Sequence, residues 1–260
     1  MAPHQTGGSR QLSVEGEAYR HALGRFLAGT DEKAVTHTYL DGVVRRLPAR
    51  RVLLDVGPAD GGTTRHLAPA FERTVCIEPS EPMRRALRRN CPGAQMLAEP
   101  VLEAEPGVSA DLALLGHVLY YVPRPQWLAT VLRILEWVEP GGSLLVLLQN
   151  PENACMRMVR EFTGSRFDLA ELADELTAAG SPAVGPVTLE TLPARYHGTD
   201  LRETVEVAEF HLCVPTEPPG VPLPDPDEVE RYVRRHFSDP AGGFTMTHDQ
   251  DVLRIDRRAG

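Results

Sequence analysis

The sequence predicts an α/β fold in which a mostly parallel β-sheet carries helices on both faces. Short apolar runs alternate with helical patterns through the first 150 residues, which favours strands joined by crossover helices. One of these runs, Val52–Val56, leads directly into a glycine-rich turn. With 260 residues and 42% hydrophobic residues, the chain is long enough for one sizeable α/β domain and too short for two.

Two helices are predicted before the sheet, between Val14 and Leu47. Apolar residues at helical spacing line one face of the first helix, residues 28–30 end it, and Thr30 is placed to cap the second. We expect residues 1–47 to form a helical cap or lid, and residues 48–260 to form the main domain with substrate-binding insertions after residue 150.

The alternating core is predicted element by element. In chain order we expect a strand at 51–56, a helix from about 62, a strand at 73–77, a helix at 81–90, a weak strand at 94–98, a strand at 111–115, a helix at 124–138 and a strand at 143–148. Glu139-Pro-Gly-Gly142 predicts a sharp turn before the last of these strands.

The chain after Gln149 does not repeat the first half. It predicts helices at 151–162, 168–179, 199–212 and 227–237, an apolar run near 186–192, a proline-rich connector at 215–226, and a strand at 244–255 that returns to pair with the run near 186–192. Asp168 and Glu171 resemble a capping box and Gly180 a helix stop. Because a dinucleotide-binding dehydrogenase needs a second βαβαβ half, that alternative is weakened, and failure to bind NAD would exclude it.

Composition narrows the possible partners. A net charge of −9 and a pI near 5.5 disfavour nucleic acid, whose binding relies on clustered positive charge. We expect no membrane span, no signal peptide and a cytoplasmic protein, acting as a monomer or homodimer on a small-molecule substrate. Four scattered cysteines without a Cys-x-x-Cys pair predict neither disulfides nor a metal site. The abundance of arginine, alanine, glycine and proline suggests a bacterial source.

The turn after the first strand is typical of a nucleoside-binding corner. Its glycines let the backbone approach a ligand without an intervening Cβ atom. Glu78 follows 21 residues after Gly57, at the end of the second strand, where an acid is placed to accept two ribose hydroxyls. The spacing of Gly57, Ala59 and Gly61 does not fit the dinucleotide fingerprint, which needs a third glycine against the helix.

The first glycine turn is similar to the Asp-x-Gly-x-Gly-x-Gly loop of class I methyltransferases, with Ala59 in place of the middle glycine. That resemblance implies a Rossmann-like, mostly parallel seven-stranded sheet with a final antiparallel strand, and S-adenosylmethionine as cofactor. Ligands of open α/β sheets lie beyond the carboxyl ends of the strands. The expected cofactor-binding residues are therefore Asp55, Gly57, Pro58, Ala59, Gly61, Glu78, Pro79, Ser80, Glu99 and Gly116.

Several further segments together resemble histamine N-methyltransferase over most of the chain. They are Tyr19 with Arg25-Phe-Leu27, Glu32, Glu78-Pro-Ser80, Leu119-Tyr-Tyr-Val122 and Gly164-Ser-Arg-Phe167. The resemblance implies an acceptor pocket lined by Tyr19, Glu32, Tyr120, Tyr121 and Phe167, with Glu32 facing a substrate ammonium or ring N–H. The chain departs from the family at residues that would contact the acceptor. His117 and His248 replace amide side chains of the family, and Met156 and Arg160 replace tryptophans.

These residues suggest a reaction. In-line methyl transfer needs alignment in a dry pocket, which aromatic walls provide. His117, which follows a strand end, can remove a proton where an amide cannot. We therefore expect His117, Glu32 and Tyr120 to be catalytic and Tyr19, Tyr121, Phe167, Met156 and His248 to bind the substrate. One of the two adjacent tyrosines should face the cleft, since an extended segment cannot point both inward.

The expected acceptor is an arylethylamine-like precursor of secondary metabolism, methylated on a ring carbon or nitrogen. We favour indole over imidazole, because an indole carbon becomes more nucleophilic as its N–H proton is drawn off. An aliphatic amine or amino acid is the alternative substrate. A protein that binds S-adenosylmethionine without methyl transfer, or uses it for cyclisation, would share the same cofactor residues.

Overall fold

A computed structural model describes residues 17–214 and 221–259 of the chain. The strands are β1 (Val52–Val56), β2 (Arg73–Ile77), β3 (Gln95–Leu97), β4 (Ala110–Gly116), β5 (Val138–Gln149), β6 (Val184–Leu192), β7 (Arg195–Gly198), β8 (Phe244–Thr247) and β9 (Gln250–Arg257). The helices are α1 (Glu17–Gly29), α2 (Glu32–Arg46), α3 (Gly62–Leu67), α4 (Glu81–Asn90), α5 (Trp127–Glu136), α6 (Ala154–Thr163), α7 (Leu169–Ala179), α8 (Leu201–His211) and α9 (Pro226–His236). Short 3₁₀ turns lie at Ala68–Ala70, Leu119–Tyr121 and Arg124–Gln126.

The chain divides into two compact units. The sheet unit comprises residues 33–148, 168–192 and 250–260, and the second unit comprises residues 1–32, 149–167 and 193–249. The sheet unit contains the seven-stranded sheet, and the second unit contains α1, α6, α8, α9 and the two-stranded ribbon β7–β8.

The large sheet has the strand order β3-β2-β1-β4-β5-β9-β6. Strands β3, β2, β1, β4 and β5 pair in parallel, whereas β6 and β9 pair antiparallel. The hydroxyl of Ser143 donates to Asp256 at 2.6 Å, so the beginning of β5 lies beside the end of β9. The predicted Rossmann-like sheet with a final antiparallel strand is confirmed.

The register places three strand ends at one edge of the sheet. Val56, the last residue of β1, lies opposite Ile77 of β2 and Leu115 of β4. All three of these strands are almost completely buried, as expected for a parallel sheet covered on both faces. The segments that follow them therefore meet at the carboxyl edge, where the sequence placed the site.

Helix α2 packs into the core of the sheet unit. Its apolar residues Leu40, Val43 and Val44 are buried together with strand residues such as Leu53 and Leu112. The hydroxyl of Thr30 accepts from the N–H of Glu32, in agreement with the predicted cap. Whether residues 1–47 act as a lid stays a prediction.

Several parts of the chain differ from the sequence prediction. The sharp turn predicted at 139–142 lies inside β5, whose pairing with β4 shifts register between Ala110 and Leu112. The predicted strand at 244–255 is two strands, because the chain leaves the β7–β8 ribbon at Thr247 and joins the large sheet at Gln250. Strand β7 is only four residues long, too short to show a period of its own. The connector expected at 215–226 lies outside the described residues from 215 to 220.

The predicted start and end of α7 are confirmed by its capping residues, while the capping box with Glu171 stays a prediction. The carboxylate of Asp168 accepts from the N–H of Ala170 at 2.8 Å, and Gly180 ends α7 with a φ of 59°. None of the helices in the described part of the chain is both long and apolar enough to cross a membrane.

Candidate active site

The loop between β1 and α3 is folded by left-handed backbone at three alternate positions. The φ angles are 70° at Gly57, 51° at Ala59 and 82° at Gly61. A Cβ atom on Gly57 would lie 2.3 Å from Val118 Cγ2, and one on Gly61 would lie 2.4 Å from Leu87 Cδ1. The two outer positions thus require glycine, while Ala59 occupies a conformation that costs an L-residue about 1–2 kcal/mol.

Asp55 anchors this loop from inside the sheet. Its carboxylate is buried and accepts from the hydroxyl of Thr64 in α3 at 2.6 Å. Burial raises the pKa of Asp55 to about 6, although the Thr64 bond and the charge of Lys33 act in the opposite direction. The predicted cofactor role of Asp55 is therefore best understood as positioning, with the side chain tying β1 to α3.

Glu78, at the end of β2, reaches across to the same loop. One carboxylate oxygen accepts from the N–H of Ala59 at 3.1 Å and the other from the N–H of Ser80 at 2.8 Å. Burial raises the pKa of Glu78, while these two backbone bonds lower it. A carboxylate has about four acceptor positions, so these two bonds fix its orientation and leave capacity for a ligand's hydroxyl groups.

The turn after Glu78 is held by a guanidinium. Arg84 donates to the carbonyl oxygens of Glu78 and Pro79 at 2.7 and 2.6 Å, and also pairs with Glu81. Pro79 and Ser80 are thereby held beside the glycine loop.

Glu99 follows the end of β3 and lines a shallow cavity of about 370 Å³ within the sheet unit. Its carboxylate accepts from the N–H of Ala98 at 3.0 Å. Leu97, in the same cavity, accepts from the N–H of Glu78 at 3.0 Å, which links the cavity to the predicted ribose-binding acid.

Lys33 is a candidate that the sequence reasoning missed. It lies exposed in the first turn of α2, and its ammonium is 3.3 Å from the hydroxyl of Thr63 at the start of α3. An ammonium group next to the glycine loop is suited to a carboxylate ligand. A signal existed, since Lys33 is the only lysine in an arginine-rich chain.

Among the described residues, His117 and Ala59 are the two non-glycine residues with a left-handed backbone. His117 has a φ of 59° and lies directly after β4. Its N–H donates to the carbonyl of Leu147 at 2.8 Å. Its ring stacks on Tyr120, with ring centroids 6.0 Å apart and an angle of 17° between the planes. Gly116 and His117 therefore lie at the carboxyl edge next to the loop of β1, as predicted.

The tyrosine pair is not extended but forms a 3₁₀ turn, Leu119–Tyr121. Trp127 fixes this turn, because its indole N–H donates to the carbonyl oxygens of Leu119 and Val122. Tyr120 is buried, whereas Tyr121 is 48% exposed. The expectation of an extended segment is wrong, because backbone turning rather than strand alternation separates the two side chains.

The remaining residues expected around the acceptor lie in the second unit. Glu32 Oε2 is 3.0 Å from Nδ1 of His248, within ion-pair distance but without the geometry of a hydrogen bond. Met156 and Phe167 are buried, and Arg160 pairs with Glu152 at 3.0 Å. Tyr19 lies in the first turn of α1, but its side chain is outside the described part of the structure. Glu32 thus has a histidine beside it, where the resemblance implied a substrate ammonium.

The sheet order, the glycine loop and the acid after β2 define a class I methyltransferase, an enzyme class that takes its methyl group from S-adenosylmethionine. Comparison with known proteins agrees, since residues 21–211 match a family model described as a methyltransferase domain. The chain belongs to this methyltransferase family. A search of curated protein sequences gives no match.

Solved structures share the fold. The N-methyltransferase NodS from Bradyrhizobium japonicum WM9 is 16% identical with a TM-score of 0.54, covering 88% of this chain and 99% of NodS. NodS in complex with S-adenosyl-L-homocysteine is 18% identical with a TM-score of 0.52, covering 93% and 99%. A putative methyltransferase from Bacillus halodurans C-125 is 14% identical with a TM-score of 0.59, covering 86% and 99%.

The residues of the sheet unit fit the cofactor of this class. The glycine loop leaves no room for a Cβ atom at Gly57 or Gly61, and Glu78 is oriented with acceptor capacity to spare. Lys33 places an ammonium group 3.3 Å from Thr63, beside the same loop.

Proposed function

We propose that the protein methylates a small arylethylamine-like acceptor, with His117 as the base that removes a proton from the acceptor. S-adenosylmethionine, when bound, supplies an electrophilic methyl group. Glu78 and the loop from Gly57 to Gly61 hold it, and Lys33 pairs with its carboxylate. The observation that carries the proposal is the backbone of His117.

A φ of 59° at a histidine is costly, and such outliers persist where the surrounding structure enforces them, often at functional sites. The bond from its N–H to Leu147 and the ring contact with Tyr120 hold His117 in place after β4. An imidazole titrates near neutral pH and is suited to accept a proton. An amide at this position could position an acceptor but could not deprotonate it.

The aromatic groups beside His117 support a flat acceptor. Tyr120 presents its ring to the imidazole, and the 48%-exposed Tyr121 has surface available for a ligand. Aromatic faces also attract the positive charge of an ammonium group or a sulfonium. An indole or imidazole ring with an ethylamine arm matches both properties.

The acceptor-binding residues expected in the second unit do not support the acceptor assignment. Met156 and Phe167, which the sequence assigns to substrate binding, are buried in the second unit. Glu32 can pair with a substrate ammonium only if His248 moves from its present position 3.0 Å away. We therefore base the acceptor assignment on the sheet unit alone.

Methylation of an aliphatic amine is the second candidate, supported by the N-methyltransferase NodS among the similar structures. An aliphatic amine in its neutral form is already nucleophilic and needs no base on the enzyme. An indole carbon, in contrast, becomes more nucleophilic only as a base removes the N–H proton. The two candidates thus differ in how far they depend on His117.

The first experiment is mass spectrometry of reactions with S-adenosylmethionine and a panel of histamine, tryptamine, tryptophan, N-acetyltryptamine, indole pyruvate and simple aliphatic amines. Both S-adenosylhomocysteine and the methylated product are followed. Product on an indole or imidazole supports the proposal, and product on aliphatic amines alone favours the second candidate. Cofactor binding by calorimetry without S-adenosylhomocysteine formation above the no-enzyme control on any compound overturns the acceptor assignment.

The variant His117→Gln tests the base. General-base catalysis contributes about 10²–10⁴-fold, so we expect kcat to fall by that order while cofactor affinity is unchanged. His197→Gln is the matched control, since His197 is exposed on β7 in the second unit. Equal turnover in His117→Gln and the control would remove the base from the mechanism, and recovery of the variant at high pH would indicate an amine acceptor.

A further inference from the structure

A buried group of metal-ligating side chains lies in the second unit, and the proposed function does not use it. Sγ of Cys155, from α6, and one ring nitrogen each of His211, at the end of α8, and His248, between β8 and β9, lie within 4.8 Å of one another. Cys155 is 0% exposed, His248 1% and His211 5%. Three ligands from three distant segments converge in a place closed to solvent.

The hydrogen-bond partners of the two histidines determine which ring nitrogens carry protons. Nδ1 of His211 is 2.8 Å from the carbonyl oxygen of Val207, which can only accept, so Nδ1 of His211 carries a hydrogen. Nδ1 of His248 lies 3.0 Å from the carboxylate of Glu32, which favours a hydrogen there as well. In the neutral rings, both Nε2 atoms therefore carry lone pairs.

These two Nε2 atoms face each other at 3.0 Å. Two lone pairs at that distance repel, unless a cation lies between or beside them. A shared proton is one such cation and a metal ion is another. The shared proton involves only the two imidazoles and leaves the thiol of Cys155 bonded to Gln149, whereas a metal ion uses all three groups.

We propose that Cys155, His211 and His248 bind a Zn²⁺ ion. Two imidazoles and a thiolate are a ligand set that suits zinc, with Zn–N distances of about 2.0–2.1 Å and a Zn–S distance of about 2.3 Å. Tetrahedral ligands at those distances are about 3.3–3.7 Å apart, so shifts of about an ångström complete the site. Three protein ligands leave a fourth position for a water molecule.

The groups around the ligands match those usually found behind zinc-bound histidines. A ligating histidine usually donates its other N–H to a backbone carbonyl or a carboxylate. Here Nδ1 of His211 donates to the carbonyl of Val207, and the carboxylate of Glu32 lies within ion-pair distance of Nδ1 of His248, at 3.0 Å. Phe26 covers both rings, with centroids 4.8 Å from His211 and 4.6 Å from His248. An apolar cover of this kind excludes solvent from the metal.

Charges balance in both states. Burial raises the pKa of the Cys155 thiol well above the ordinary range, so this thiol is neutral without metal. The balance holds for an ionised Glu32 and an imidazole pair that shares one extra proton. Zn²⁺ binding releases the thiol proton and the shared proton, leaving Zn²⁺ against one thiolate and one carboxylate. The buried cluster is neutral before and after, so no net charge is added to the interior.

The test uses the full chain, stripped with a chelator and titrated with Zn²⁺ in competition with a chromophoric chelator. We expect one tight equivalent, and Co²⁺ should give thiolate charge-transfer and tetrahedral d–d absorption. Cys155→Ser and His211→Asn should lose the equivalent and the bands, whereas Cys213→Ser and His197→Asn should keep them. Failure of the wild type to bind Zn²⁺, or equal binding by all variants, overturns the proposal.

A variant that keeps all three ligands guards against misfolding. Glu32→Gln preserves shape but weakens the acceptor behind His248, and changes of this type cost about 10–100-fold in metal affinity. Circular dichroism and thermal midpoints compare the fold of every variant with the wild type. A Glu32→Gln variant with wild-type Zn²⁺ affinity would contradict the arrangement described here.

Discussion

The variant Asp55→Asn gives a quantitative test of how the glycine loop is anchored. The carboxyl group of Asp55, in β1, is buried and bonded to Thr64 of α3. Burial raises its pKa from 3.8 to about 6. Between about pH 4 and pH 6, the carboxyl group of Asp55 is therefore largely protonated in the native state and largely ionised in the unfolded chain. Unfolding then becomes easier as pH rises through this window, and the effect levels off above about pH 6.

The magnitude follows from the shift. A difference of about two pKa units corresponds to about 3 kcal/mol, which the wild type loses between about pH 4 and pH 7 through this one group. An amide does not titrate, so the free energy of unfolding of Asp55→Asn does not fall in this way as pH rises. The free energy of unfolding of the variant minus that of the wild type should rise by about 3 kcal/mol across the window.

The assay is urea unfolding of both proteins at half-unit steps from pH 4 to pH 7.5. Taking differences at each pH removes the contributions of other titrating groups. The cost of burying the amide N–H groups of the variant, about 1–3 kcal/mol, shifts every difference by the same amount and so does not affect the change with pH. A difference that stays constant with pH, or falls as pH rises, would refute the reasoning.

Asp111 provides a matched control of opposite sign. Burial alone would raise its pKa, but bonds from the Arg51 side chain and from the N–H groups of Val52 and Arg51 outweigh burial and lower the pKa. A lowered pKa stabilises the native state above the unfolded value near pH 4. This stability is gained as pH rises towards about 4, so the series for Asp111→Asn is extended below pH 4. There Asp111→Asn should become less stable relative to the wild type as pH rises, and it should show no further change at about pH 4 to 7, where Asp55→Asn becomes more stable.

The remaining predictions concern the cofactor loop, and calorimetry with S-adenosylhomocysteine and urea unfolding test them. Lys33→Gln should weaken binding by up to about fivefold, because an exposed charge pair is worth up to about 1 kcal/mol, and Lys33→Arg should retain the affinity. Equal affinity in both variants would show that Lys33 does not bind the cofactor. Ala59→Gly should be neutral or stabilising by up to about 1 kcal/mol, because relief of the left-handed backbone exceeds the added freedom of the unfolded chain. Gly57→Ala should destabilise the protein by at least about 1–2 kcal/mol and weaken binding, since its backbone is left-handed and its Cβ atom would meet Val118. The reverse order of stability for the two glycine-loop variants would contradict the loop geometry.

Much of the fold was predictable because its signals are local. Apolar runs marked β1, β2 and β4, and helix α4 has the bounds expected from its helical spacing. Strands of a parallel sheet end at a common edge, so knowing where each strand ends was enough to bring Gly57, Glu78 and His117 together. The glycine loop was visible because left-handed backbone restricts residue type.

Other features had no local signal. Strand β7 is too short to show a hydrophobic period. Strands β8 and β9 are distinguished only by their pairing, because β8 pairs with β7 and β9 pairs with β6. The left-handed backbone of His117 was not predictable either, because histidine is compatible with many conformations.

The sequence alone thus determined the class of enzyme and its cofactor, and it predicted which residues hold that cofactor, since periodicity and glycine spacing act over neighbouring residues. Only the tertiary structure placed Glu32 beside His248 and His248 beside His211 and Cys155. These residues come from distant segments, and scattered spacing carries no metal-binding signature. Their contacts arise from packing of buried side chains, where distance in space is independent of distance along the chain.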